Sequence, residues 1–289
     1  MECELWPALY ALIVKVGKRS RRGGVRYSDA VIVLVFFWAC LHDRPQHWAC
    51  EPWNWRSTRL KPVKLPSDST LSRRLESPSV KVFRTALEEE ARGSAMPGLL
   101  RVIDGKPLPV GMYSKDPDAK WGHVSKRKML RGYRLHAIWS DRPFPEAWTL
   151  RPLNENESPV AESLIPQLTG TGYLLADSQY DVNQLHDLSM NHRHKLVACP
   201  RNRRAKGIGH MRQSPHRLHA LLMLKRPFGE ALIHQRGNIE RSFGNATSFA
   251  GGLAPLPSWV RRLYRVYRWV QAKLIVNAIR IILHKRVAA

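Results

Sequence analysis

Three acidic residues stand where their chemistry could be combined: Asp104 ends an apolar run, LLRVID, Asp177 ends a second, YLLAD, and Glu240 lies inside a helical stretch, RGNIERSF. Carboxylates gathered in one place repel one another unless cations sit between them. A set of three supplies the hard oxygen ligands that Mg²⁺ or Mn²⁺ prefers and calls for neither His nor Cys. Two such ions about 3.5–4 Å apart activate an attacking oxygen and stabilise a departing one at a phosphodiester. Taken alone, each residue has a plainer reading. Asp104 precedes Gly105 and could serve a turn; Asp177, before Ser178-Gln179, could cap a helix; Glu240 could pair with Arg236 on a solvated face. The joint pattern, on a strongly basic chain, outweighs the three separate readings.

The elements that would have to position these residues can be read from Gly98 onward. LLRVID is a short strand, and SKDPDAKWGHVSKRKMLRG is a polar, basic loop without apolar period. YRLHAIWS and EAWTLRP then form a meander around Asp141-Arg142-Pro143. A helix opens at Ser158-Pro159 and runs to about Leu168. YLLAD is the next strand, followed by a helix to about Met190 and the strand HKLVACP. The segment Arg201 to Pro227 is basic and ambiguous. Helical character resumes near Leu232, breaks at GGLAPLP, and returns in a long helix from about Trp259 to Arg286. Strand, strand, strand, helix, strand, helix, strand, insertion, helix is the order of a ribonuclease H-like core, an α/β fold with a mixed sheet flanked by helices. There the first and fourth strands are central neighbours, so Asp104 and Asp177 would meet and a following helix would bring Glu240.

Residues 1 to about 95 read as an all-α region, with an amphipathic opening (LWPALYALIVKV), a buried helix at AVIVLVFFWACL, and a Pro- and Trp-rich connector from Arg44 to Pro66 that reads as a loop. In SDSTLSRRLESPSV, Ser69 or Thr70 would cap a short helix and Ser77-Pro78 would start the next. That tandem allows a helix-turn-helix reading with Arg73 and Arg74 against DNA. The domain division expected is 1–95 and 96–289, the second including the last helix. Lys and Arg number 47 against 23 Asp and Glu, for a net charge of +24. Such a chain suits a polyanion, because phosphate contacts release condensed counterions. The four cysteines form no CxxC pair, and Cys40, His42, His47 and Cys50 match no familiar zinc spacing. The longest apolar run is too short to cross a bilayer, and no cleavable signal is read. A reducing cytoplasm, at the nucleoid, is the expected location. No Gly-rich phosphate loop is present, so ATP is not implied.

These residues resemble the DDE transposases of bacterial insertion sequences, whose catalytic domain is ribonuclease H-like. SDSTLSRRL is similar to the end of that family's helical region, and VIDGKPLPVGMYSKDPDAKWG to its first-aspartate motif. RGYRLHAIWSDRPFPEAWTLRPLNENES resembles its second and third strands, ADSQYD its second-aspartate motif, and RGNIERSFG its glutamate helix. GGLAPLPSWVRRLYRVYRWVQAKLIVNA looks like its tail. The resemblance implies Asp104, Asp177 and Glu240 as catalytic and metal-binding residues, and Arg236 as a DNA contact. Lys106 and Lys115, just after the first aspartate, are further candidates for the DNA backbone. It also implies metal-dependent cleavage and strand transfer on double-stranded DNA, at terminal inverted repeats and a target, by a homodimer on paired ends. The family's signature has Tyr three positions before the Arg and Lys seven after the Glu, where this chain has Ile233 and Thr247. A nuclease that cuts without joining, or a copy that binds DNA without chemistry, are the alternatives.

Overall fold

The computed structural model describes residues 2–19, 26–94, 96–125, 127–200, 212–248, 253 and 255–288; the side chains at 2–3, 238–243, 245–248 and 285–288 are outside that description. The chain forms two compact units, Met1–Ser94 with Trp259–Ala289, and Ala95–Ser258.

In the first unit, α1 (Glu2–Arg19), α2 (Asp29–Leu41), α3 (Asp68–Leu75), α4 (Pro78–Arg92) and α9 (Leu263–Ala288) pack together. Every residue of α2 from Ile32 to Cys40 is buried, as an all-round apolar helix requires. The connector is not the open loop expected. It makes two short 3-10 turns, Gln46–Cys50 and Pro52–Trp55, because its tryptophans fold back onto the helices. Trp55 stacks on Trp38 at 4.8 Å and donates to the Ala49 carbonyl. Helix α3 is capped by Ser67, which accepts from the Thr70 amide, rather than by Ser69 or Thr70. Ser77 caps α4 ahead of Pro78, as the sequence suggests.

The last helix corrects the expected division, since α9 belongs to this unit. Its apolar stripe, including Val266, Val270 and Leu274, is buried, and its inward polar groups have matched partners here. Gln271 accepts from Arg84 at 2.5 Å and donates to Glu88 at 2.7 Å, while Lys273 pairs with Asp43.

The second unit holds a six-stranded mixed sheet of β1 (Leu100–Pro109), β2 (Lys120–Ser125), β3 (Lys128–Trp139), β4 (Ala147–Pro152), β5 (Gly172–Ala176) and β6 (His194–Ala198). Its helices are α5 (Glu157–Leu164), α6 (Asn183–Asn191), α7 (Pro215–Leu224) and α8 (Pro227–Ser248). The order is β4-β3-β1-β5-β6, with β1, β3 and β4 antiparallel and β5 and β6 parallel to β1. This is the ribonuclease H-like arrangement expected.

One expectation fails. The stretch read as a polar loop contains β2 and the first part of β3, paired as a hairpin (Lys120↔Gly132, Trp121↔Arg131, His123↔Met129). Beyond it, the same edge of β3 pairs with β4. The hairpin is held by backbone bonds and leaves most of its side chains exposed, so it has no apolar alternation to detect.

Strand periodicity sorts the core into two faces. Ile103, Leu174, Ala176 and Leu196 point to α5 and α6, meeting Val160, Leu164 and Leu185. Val102, Leu175 and Val197 point the other way, to Leu232 and Ile233 of α8. At the start of α8, Phe228 meets Tyr173, the second residue of β5, edge to face at 5.8 Å. Because Leu232 and Ile233 come next, over Val102 and Leu175, α8 runs in the same sense as β1 and β5.

Candidate active site

The site follows from strand register. Leu100, Arg101 and Val102 pair with Tyr173, Leu174 and Leu175. Two residues beyond the last of these pairs come Asp104, within β1, and Asp177, just after β5, so both follow on from the face of Val102 and Leu175. Both are partly exposed. Each has one oxygen fixed by a neighbouring amide: the Gly105 N–H donates to Asp104 Oδ1 at 2.8 Å, and the Gln179 N–H donates to Asp177 Oδ1 at 2.8 Å. Asp177 is thus also the cap of the turn Ser178–Tyr180, so its plainer reading is realised.

The two aspartates act on the same buried neighbours. Burial raises the Glu157 carboxyl above its ordinary range, the Arg134 guanidinium opposes that rise, and Asp177 and Asp104 add to it. The Tyr180 hydroxyl, also buried, is pushed well up, with Glu157, Asp104 and Asp177 contributing. Glu157, in the first turn of α5, receives Arg134 Nη1 at 2.6 Å. A Cβ at position 105 would come within 2.8 Å of Arg134 Cδ and 3.2 Å of Glu157 Oε1, so glycine beside Asp104 is what lets the ion pair lie against β1.

Glu157, Arg134 and Tyr180 were missed from sequence. One signal was available: Arg134 lies among the apolar residues of β3, between Tyr133 and Leu135, and is buried, and a buried guanidinium requires an acidic partner. His136, also on β3, is buried and pushed down to about 3 by desolvation and by Arg134 and Arg151, so it is neutral at physiological pH.

Glu240 lies in α8, and its side chain is outside the described residues; the same holds for Thr247. Ile233, where the family signature has Tyr, packs against the Val102–Leu175–Val197 cluster. Arg236 is partly buried on α8. Lys106 is partly buried on β1, on the same face as Asp104, while Lys115 is exposed in the loop after β1. In the first unit, Arg73 is exposed, but Arg74 is engaged within the fold, donating to Asp29 at 2.6 Å and to the Tyr27 carbonyl at 3.0 Å. Among the described residues no three His, Cys, Asp or Glu side chains gather as a metal site. Cys40 and Cys50 are free thiols, with burial pushing Cys50 up to about 12. No helix among the described residues is long and apolar enough to cross a membrane.

No curated protein sequence matches the chain significantly. Among solved structures, a piggyBac transposase in a synaptic complex with hairpin DNA is similar at 13% identity and a TM-score of 0.36, covering 73% of this chain and 52% of that one. The chain therefore spans about half the length of that relative. The model of the family described as "Transposase DDE domain" matches residues 96–261, more than half of the chain and nearly all of its second unit. By this match over its mixed-sheet unit, the chain belongs to the DDE-domain transposases.

Proposed function

We propose that this protein is a DNA transposase that binds the ends of an insertion sequence, cuts them and joins them to a target, with Asp104, Asp177 and Glu240 as its catalytic carboxylates. The β1–β5 register, beyond which Asp104 within β1 and Asp177 just after β5 follow on one face of the sheet, is the observation that supports this reading. Helix geometry supports the third member. Positions 233, 236 and 240 follow one another at i, i+3 and i+7, one stripe of a helix, and Ile233 packs against the face from which the aspartates project. Since α8 runs along β1 and β5, position 240 is carried toward the same end of the sheet.

The donor set suits a hard divalent ion, because both aspartates offer only carboxylate oxygen and both act electrostatically on the same buried Glu157 and Tyr180. When bound, Mg²⁺ or Mn²⁺ would activate the attacking oxygen and stabilise the leaving one. The chain's part is to hold these carboxylates rigid through the Gly105 and Gln179 amides, and to place Lys106 and Arg236 beside DNA phosphates. Water opens the phosphodiester at the element end and frees a 3′-hydroxyl. That hydroxyl then attacks a target phosphodiester, whose own 3′-oxygen departs. Double-stranded DNA is the partner, engaged as a homodimer on paired ends in the cytoplasm, with Arg73 adding a contact from the first unit.

The test is cleavage and joining of a labelled duplex carrying the inverted repeats that flank the reading frame, in Mg²⁺. Wild type yields nicked and joined products, and Asp104→Asn, Asp177→Asn and Glu240→Gln yield neither. Undiminished cutting by Asp104→Asn would overturn the assignment.

A further inference from the structure

We propose that the β2–β3 hairpin is a DNA-engaging finger whose exposed Trp121 stacks on an unpaired base of the bound strand. The inference rests on reading this protein as a DNA-cutting enzyme and adds to it an element that grips the substrate.

The hairpin has an inner and an outer face. A Cβ on Gly122 would come within 2.2 Å of the Leu153 carbonyl oxygen, so that face lies flat on the chain after β4. Trp121 and His123, with their cross-strand partners Arg131 and Met129, project the other way. Trp121 is 55% exposed and Met129 49%. A large aromatic side chain so exposed gains nothing from the core.

The outer face is built, not loose. Arg131 donates to the carbonyls of Ser114, Asp116 and Ala119, which fastens the preceding loop across the base of the hairpin. Buried Asp116 accepts from the Tyr133 hydroxyl at 2.7 Å and from the Asp118 amide, fixing the loop from the inside. Trp121 is therefore presented on a stiff platform. The platform is also tied to the acidic site. Arg134, whose Nη1 pairs with Glu157, donates through Nη2 to the His123 carbonyl at 2.7 Å. His123 is thus one arginine side chain away from Gly105 and its neighbour Asp104.

Charge selects the occupant. Lys115 and Arg127, in the loops before and within the hairpin, are exposed, and Arg131 shares the face of Trp121, whereas Asp116 is buried and Asp118 half-buried. An exposed aromatic side chain on a hairpin that also carries exposed cations fits a nucleic-acid strand, the base stacking on the indole and the phosphates meeting the cations. In an intact duplex the bases already stack on one another, so the indole finds its partner where a base is unpaired or a step is opened.

The experiment uses the full chain in Ca²⁺ with two fluorescein-labelled DNAs of one sequence, a blunt duplex and the same duplex with a short 3′ overhang. Trp121→Ala is expected to weaken binding of the overhang DNA about tenfold or more, with a much smaller change on the blunt duplex. Trp121→Phe, which keeps an aromatic face, retains most of the affinity and separates lost stacking from a folding defect. In wild type, 2-aminopurine placed in the overhang is quenched on binding. Equal affinity of wild type and Trp121→Ala for both DNAs, an equal loss on both, or no quenching in wild type would each overturn the proposal. Asp104→Asn keeps the two readings apart. If it cuts like wild type, the catalytic reading fails while the stacking result stands; if it does not cut but Trp121→Ala binds normally, the hairpin inference alone fails.

Discussion

Arg101→Met should be among the most damaging single changes in the second unit. Arg101 is fully buried, pairs with Glu146 at 3.0 Å (side chains 0% and 4% exposed), and donates to the carbonyls of Gly98, Thr169 and Thr171. It lies within the three-residue pairing of β1 with β5, just ahead of Asp104 and Asp177 on the two strands. Methionine fills much of the volume but strands the Glu146 carboxylate, and removing one member of a buried ion pair costs about 3–5 kcal/mol. That is comparable to the whole stability of many domains, about 5–15 kcal/mol. In Arg101→Met/Glu146→Leu no charge is stranded and only the three carbonyls lose donors, so the double variant should recover roughly half of the loss. Urea unfolding at low temperature, followed by circular dichroism, reads both. If the single and double variants are equally unstable, or if Arg101→Met costs less than about 1 kcal/mol, the stranded charge is not what matters.

Three other outcomes follow from the geometry. Asp104→Asn and Asp177→Asn should abolish Mg²⁺-dependent cleavage while leaving the melting temperature unchanged or higher, since each removes one of two facing negative charges; a lower melting temperature would make the aspartates structural. Arg74→Ala should cost on the order of 1–3 kcal/mol through the lost contacts to Asp29 and Tyr27, whereas Arg73→Ala should leave stability alone and weaken DNA binding, and anisotropy titrations beside melting curves would expose the reverse pattern. His136, held at about 3 in the fold against an ordinary 6.5, stays neutral where the unfolded chain takes up a proton, so stability falls as pH drops from 6.5 toward 3. Between pH 7.5 and 5 the loss should be about 2 kcal/mol; His136→Gln should lack it, and identical urea midpoints against pH for the two proteins would rule the effect out.

What was legible in the sequence was whatever left an apolar signature. Asp104 and Asp177 each follow a run of buried strand residues, and those runs announce both strands; the run before Asp177 also marks the end of β5, whereas β1 continues past Asp104 to Pro109. The β2–β3 hairpin left none, because Lys120, Trp121, His123 and Met129 pair through their backbones and turn their side chains outward. The last helix was visible as a helix but assigned to the wrong unit. Neighbourhood in the chain says nothing about which surface receives Val270 and Leu274, or that Gln271 finds Arg84 and Glu88. The Arg134–Glu157 pair escaped for a related reason: a buried Arg demands a carboxylate, but which one is decided only when α5 packs against β3.

Because α9 completes the first unit, that unit is closed by chain made long after its other helices. During synthesis at about 5–20 residues per second, the Ala95–Ser258 sheet can finish while Arg84, Glu88 and Asp43 still await Gln271 and Lys273. A nascent or prematurely terminated chain would thus carry a finished α/β unit beside a helical one with its α9-covered surface open to water. Synthesis to the end is then a built-in condition for a stable amino-terminal region, and any substitution along α9 that weakens its seat should act first on helices far upstream of it.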